Sequence, residues 1–166
     1  MLPDNYAYRQ DNPIWASDKI GDTEDSLLAY GCTISGVAMA VSNLTEEEVT
    51  PQTLNRKLSD AGGFTDRGWL IWDKVSEVTE GRVEAEYFDT PSHETIRSCM
   101  DEGGYPLLKI YLPGQIVHWV TVVGNSKAQY LIRDPLSGGP NDPPIELSER
   151  SEDILGVRCV SLAGQD

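Results

Sequence analysis

The sequence predicts an α+β domain in which helices come first and an antiparallel sheet follows. Apolar residues recur at helical spacing in the first half of the chain. Most of the second half carries β-branched and aromatic runs that are separated by turn residues. Helices and strands that are segregated along the chain are typical of α+β folds. The 166 residues contain no linker or repeat, so residues 1–166 are predicted to form a single domain.

Four helices are predicted from apolar spacing and capping signals. The first spans Cys32–Val41, where apolar residues recur every three or four positions. The second begins at Thr50-Pro51, a capping residue followed by proline at the first helical position. A third is predicted across Trp69–Val78. The pair Thr90-Pro91 repeats the capping signal and predicts a fourth helix near residues 91–101.

Five strands are predicted from runs rich in β-branched and aromatic residues. They span Val83–Phe88, Pro106–Leu112, Ile116–Val123, Gln129–Arg133 and Ile154–Leu162. Residues 124–128 contain glycine, asparagine and serine, which suits the turn of a hairpin between the third and fourth strands.

The charge balance argues against several classes of partner. The chain carries 27 acidic and 13 basic side chains and a net charge of −14, so it should repel nucleic acid and anionic membranes. The first 13 residues have a single positive charge and no apolar run, and therefore do not resemble a signal peptide. Cytoplasmic synthesis is expected. Release by cell lysis or packaging in a virus particle would need no sorting signal and stays open.

The cysteines and histidines do not predict a metal or cofactor site. The three cysteines, Cys32, Cys99 and Cys159, form no Cys-x-x-Cys pair, so a disulfide framework is not expected. Two buried free thiols are the favoured state of Cys99 and Cys159, with a bridge between them left open. The chain has two histidines and no zinc-ligand spacing or phosphate-binding glycine motif. No cofactor is predicted.

A histidine and an aspartate are expected to meet across the predicted hairpin. His118 lies in an otherwise apolar strand, where an imidazole needs a polar partner. A turn centred on Ser126 would set Asp134 directly opposite His118, on the face that also carries Val120 and Val122. A carboxylate in that position would orient the imidazole and stabilise its protonated form.

Cys32 is the predicted nucleophile of this group. It follows Gly31 and opens an apolar helix, and the backbone N–H groups of a helix N-terminus favour a thiolate. His118 would act as the base, Asp134 would orient it, and the N–H of Cys32 would help to bind the oxyanion. Each residue alone is more typical of a core or turn position. Their conjunction is what predicts catalysis.

The order of these motifs resembles the stand-alone bacteriocin-peptidase-like family of papain-like cysteine peptidases, which occur in bacteria and phages. The matching positions, which span residues 10 to 135, are Gln10, Trp15, Gly31 to Thr33, Pro51 to Asn55, Gly62-Gly63, Trp72, His118 to Val120 and Asp134-Pro135.

The resemblance implies a papain-like fold with Cys32, His118 and Asp134 as a catalytic triad and Gln10 as the side-chain oxyanion donor. Trp119 would wall the substrate cleft. Exporter-fused relatives have glycine after the cysteine, whereas here Gly31 precedes it. The chain therefore matches the stand-alone branch, and cleavage of double-glycine leaders is not implied.

Two functions from different classes follow. The first is a cysteine peptidase or amidase that acts on a protein precursor or on the peptides of a bacterial cell wall. The second is a catalytically inactive structural or interaction subunit on the same fold, for example in a phage tail or baseplate. The intact triad favours the enzyme.

Overall fold

The computed structural model describes residues 1–88, 90–126 and 129–164. Within these residues the chain forms five α-helices, six β-strands and one 3-10 turn. The helices are α1 (Leu27–Tyr30), α2 (Cys32–Thr45), α3 (Pro51–Asp60), α4 (Lys74–Val78) and α5 (His93–Asp101). The strands are β1 (Val83–Phe88), β2 (Tyr105–Leu112), β3 (Ile116–Ser126), β4 (Gln129–Arg133), β5 (Ile145–Glu146) and β6 (Gly156–Leu162). The 3-10 turn, Leu147–Glu149, follows β5.

All six strands join one sheet in the order β1-β6-β2-β3-β4-β5, and every pair of neighbours is antiparallel. Four helices, α1 to α4, precede the first strand of the sheet in the chain, which agrees with the predicted order of helices first and strands later. The α+β class is therefore confirmed. No described helix combines the length and the hydrophobicity needed to span a bilayer.

The capping signals predict one helix start correctly and misplace another. The Thr50 side chain accepts a hydrogen bond from the Thr53 N–H, and α3 begins at Pro51, as predicted. For α5 the predicted cap at Thr90 is wrong. Ser92 accepts the bond from the Thr95 N–H instead, and the helix begins at His93. Serine is as good a cap as threonine, so the local signal did not separate the two.

The helix predicted across Trp69–Val78 is wrong over its first half. Residues 64–70 instead form a tight reversal, in which Phe64 bridges Leu70 and the Thr65 N–H donates to the Trp69 carbonyl at 2.8 Å. Gly68 provides the turn with φ of +81°, a conformation that favours glycine. Only Lys74–Val78 is helical. The short elements α1 and β5 were not predicted, because four and two residues establish no periodicity.

Helix α2 packs closely against the middle of the sheet. Every residue from Ile34 to Asn43 is buried, so the helix is covered on all sides. Gly36 makes the contact possible, because a Cβ at that position would lie 2.9 Å from the Thr121 hydroxyl and 3.2 Å from the Leu107 side chain. The close approach sets the start of α2, where Cys32 lies, beside the strand that carries His118.

The state expected for two of the cysteines is wrong. Cys99 of α5 and Cys159 of β6 form a disulfide across 60 residues of sequence. The two thiols belong to elements that are distant in the chain, and their spacing carries no pairing signal. The sheet topology is what brings them together. Cys32 is the remaining cysteine and is free.

Candidate active site

His118 and Asp134 form a buried hydrogen-bonded pair. The Nε2 atom of His118 lies 2.7 Å from Oδ1 of Asp134. Only 3% of His118 and 4% of Asp134 is exposed, so water does not compete for the contact. The structure therefore brings together the two residues that the hairpin argument paired.

The register that the argument used is wrong. Thr121 lies opposite Arg133 and Val122 opposite Ile132, with a bulge between Val122 and Gly124. Continued by one pair, this register sets Val120 opposite Asp134 and leaves His118 diagonal to it. Residues 124–126, expected in the turn, extend β3, and Ser126 pairs with Gln129. The intervening positions, 127 and 128, lie outside the described residues.

The contact survives this error because the register slips by two residues. Side chains alternate between the faces of a strand with a period of two, so an even slip keeps both groups on one face. Diagonal neighbours in a sheet are about 7–8 Å apart at the backbone, which a histidine and an aspartate can bridge together.

The carboxylate of Asp134 is held by two further donors that the sequence did not reveal. The Leu136 N–H donates to Oδ1 at 2.8 Å, and the Arg150 Nε donates to Oδ2 at 2.5 Å. Arg150 follows the 3-10 turn, 16 residues after Asp134. No motif or spacing marks it. Its role comes from the packing of the segment after β5 against β4.

The third member of the group, Cys32, is the first residue of α2 and is partly exposed. Since Nε2 of His118 is bound to Asp134, the thiol can use only the other ring nitrogen, Nδ1. Cys32 interacts with the ring through hydrogen bonding and charge, strongly enough to raise the pKa of His118. The contact is looser than that of His118 with Asp134, since in this part of the structure the sulfur does not reach full hydrogen-bond geometry. Catalytic hydrogen bonds are often long before substrate binds.

The electrostatics favour a protonated imidazole. Burial would lower the pKa of His118, but the hydrogen bond to Asp134 and the nearby Cys32 thiol outweigh it and raise the pKa to about 9. For Asp134, burial would raise the pKa of the carboxyl group. The hydrogen bond and charge of His118, the Leu136 N–H and the charge of Arg150 outweigh that effect and lower it. The group is therefore arranged to hold an imidazolium against a carboxylate.

Gln10 is buried beside the same elements, and its amide is already engaged. Its Nε2 donates to the carbonyl oxygens of Leu28 at 2.8 Å and Leu27 at 3.4 Å. Its backbone N–H donates to the Pro135 carbonyl at 3.0 Å. Gln10 thus links the segment before Cys32 to the residue after Asp134. The oxyanion role stays a prediction, because it would require the amide to turn from these carbonyls.

Trp119 lies next to His118 in β3 and packs against Trp72, with the two ring centroids 5.3 Å apart. Both rings are half-buried. Exposed apolar side chains also lie near Cys32 and His118 in the chain, Tyr30 two residues before Cys32 and Val117 directly before His118.

Other features of the described residues do not compete with this site. A cavity of about 610 Å³ is lined by residues of the N-terminal segment, including Tyr8 and Trp15, and by Glu48, Thr50 and Pro140, but not by Cys32, His118 or Asp134. Within residues 1–88, 90–126 and 129–164, no three His, Cys, Asp or Glu side chains converge as a metal-binding group. No known family model matches the chain, and no curated protein is similar to it.

Proposed function

We propose that the protein is a cysteine peptidase or amidase with a papain-like fold, related to the stand-alone bacteriocin-peptidase-like family. The observation that carries the proposal is the buried His118. One ring nitrogen is fixed by Asp134 at 2.7 Å, and the other is left for the thiol at the start of α2. This arrangement suits catalysis by a thiol: the carboxylate orients the histidine, and the histidine acts as the base for the cysteine.

The reaction follows from this arrangement. His118 Nδ1 takes the thiol proton, and the Cys32 sulfur attacks the substrate carbonyl carbon, forming a C–S bond while the carbonyl oxygen takes the electron pair. The tetrahedral intermediate collapses as the imidazolium protonates the leaving amine, and a thioester remains. Water then attacks the thioester with His118 as base, and the acid product leaves as the thiol is restored.

The start of α2 supplies a donor for the oxyanion. The capping residue of α2 is Gly31, which has no side chain to bind the first N–H groups of the helix. These groups have no partner within a helix, and the helix dipole adds positive potential there. The N–H of Cys32 is the donor nearest to the sulfur. A second donor is expected from Gln10 after its amide turns toward the site.

Peptides of a bacterial cell wall or of a protein precursor are the proposed substrates. The apolar flanks at Tyr30 and Val117 suit a peptide chain, and Trp119 would line the cleft. The Cys99–Cys159 disulfide supports action in an oxidising setting, as after release by lysis, because reducing cytoplasm rarely preserves such bonds. Incorporation into a larger assembly, such as a phage tail, would bring the domain to such a substrate.

The test is digestion of purified cell wall and of a peptide library by the wild-type protein and by a Cys32→Ala variant. Mass spectrometry of the products identifies the bond. We expect cleavage by the wild type alone, with His118→Ala as inactive as Cys32→Ala. A non-catalytic subunit would leave both substrates intact at every enzyme concentration, and that result would favour the structural alternative.

A further inference from the structure

An arginine beside the proposed site is surrounded by aromatic rings. The guanidinium carbon of Arg158, in β6, lies 4.0 Å from the ring centroid of Tyr87, 5.4 Å from that of Trp72 and 5.5 Å from that of Trp119. These four residues are called the arginine cluster below. These distances are those of cation–π pairs, in which the rings attract the charge without using the N–H donors of the guanidinium.

The charge of Arg158 is not matched by a carboxylate. Six other basic side chains, including Arg133 and Arg150, form ion pairs with acidic residues, whereas Arg158 forms none in the described part of the chain. It donates one hydrogen bond, from Nη1 to the Val157 carbonyl at 3.2 Å. Its Nε is buried and has no hydrogen-bond partner. The described residues therefore offer the guanidinium neither a carboxylate nor a full set of acceptors.

The cluster adjoins the proposed catalytic strand. Trp119 directly follows His118 in β3, and its ring packs against Trp72 at 5.3 Å. Trp72 and Trp119 pack against the apolar core that contains Ile34 and Val37 of α2. The arginine cluster therefore lies on the sheet face that α2 covers, and Cys32 is the first residue of that helix.

We propose that the arginine cluster is a subsite that binds a carboxylate of the peptide substrate, from an acidic side chain or a free C-terminus. This inference rests on the proposed function. A guanidinium matches a carboxylate in a bidentate geometry, here through its two Nη groups. In a protein of net charge −14 an acidic substrate is repelled in general, so its recognition requires a local cationic group of this kind.

The test measures binding apart from catalysis. Four pools of acetylated heptapeptides are titrated against the Cys32→Ala protein, with tryptophan fluorescence and calorimetry as readouts. Two pools differ in a free or amidated C-terminus, and two differ in glutamate or glutamine at internal positions. The first comparison reports a terminal carboxylate and the second an acidic side chain. We expect one carboxylate pool to bind about tenfold more tightly than its neutral match, since a charge-assisted contact is worth at least that factor.

The control for this experiment is a second arginine over a tryptophan. Arg67 lies 5.4 Å from the Trp69 ring, is exposed and does not belong to the arginine cluster. We expect Arg158→Met to abolish the preference for the carboxylate and Arg67→Met to keep it. Arg158→Lys retains the positive charge but not the bidentate geometry of the guanidinium, so it should keep part of the preference for the carboxylate. It replaces Arg158→Met in the test if the methionine variant does not fold.

Equal binding of charged and neutral pools, loss of the preference in Arg67→Met alone, or no binding of any pool would overturn the subsite. Turnover by the wild type separates the two proposals. Cleavage without a preference for acidic peptides would support the hydrolase and refute the subsite. Binding that prefers acidic peptides and depends on Arg158, without any cleavage, would support the subsite and refute the hydrolase.

Discussion

The substitution Asp134→Asn tests the electrostatic core of the site. It keeps the size of the side chain and removes its charge. The carboxylate of Asp134 now accepts from His118, Leu136 and Arg150 with two oxygens, whereas an amide offers one. The imidazolium would lose both its counter-charge and its best acceptor, so we expect the pKa of His118 to fall.

The size of the effect follows from the pKa of His118, which is raised from the ordinary 6.5 to about 9. A rise of that size corresponds to about 3 kcal/mol of stability for all its causes together. The hydrogen bond to Asp134 is the largest cause that raises the pKa, so the variant should lose a substantial part of that stability. Because the pKa is raised in the folded state, the contribution is fully present below about pH 6.5 and is lost as the pH rises through about 9. The stability difference between wild type and variant should shrink in the same window.

Two measurements check this expectation. Histidine side-chain NMR follows the titration of His118, and urea unfolding at pH 5.5, 7.5 and 9.5 follows the linked stability. Asp66→Asn is the matched control, since Asp66 is an exposed aspartate for which the structure shows no hydrogen bond. The reasoning is refuted if Asp134→Asn leaves the pKa of His118 and the pH dependence of unfolding as in the wild type.

Three other predictions concern residues that hold the fold and the site. Replacing Cys99 and Cys159 together by alanine should lower the unfolding free energy by up to about 4 kcal/mol, because the bridge restricts a 60-residue loop in the unfolded chain. Urea titration without reductant measures the change, and an unchanged midpoint would contradict the disulfide. Arg150→Met should move acid unfolding to higher pH, because the Asp134 carboxylate loses a cation that lowers its pKa. Circular dichroism measures the midpoint, and a shift to lower pH would contradict this expectation. Ser92→Ala should lower the unfolding free energy by about 1 kcal/mol by removing the cap of α5, whereas Thr90→Ala should lower it much less. Thermal unfolding compares the two variants, and the opposite order would favour Thr90 as the cap.

Local signals in the sequence predicted what depends on neighbouring residues. The pair Thr50-Pro51 defines the start of α3 because the cap and the proline act within one turn. The start of α2 at Cys32 follows from the apolar run behind it. Strand positions followed from composition, and their bounds differ from the predicted ones by at most three residues.

Features that depend on residues distant in the chain could not be predicted from the sequence. The bulge between Val122 and Gly124 shifts the register of the β3–β4 hairpin. Glycine in a strand often marks a bulge, but Gly124 was assigned to the turn, where glycine is equally common. The Cys99–Cys159 bridge depends on where α5 lies relative to β6. Arg150 reaches Asp134 only after the segment behind β5 folds back. These contacts arise from tertiary packing, which the spacing of residues along the chain does not predict.

The rate at which Cys32 is alkylated as a function of pH tests the central claim most directly. The other two cysteines are held in a disulfide, so iodoacetamide adducts counted by intact-protein mass spectrometry report on Cys32. If imidazole and sulfur share a proton, the wild-type protein should react at pH 6 at least about tenfold faster than a His118→Gln variant. Identical slow rates in the two proteins, both rising only near the pH at which an ordinary thiol ionises, would contradict the triad.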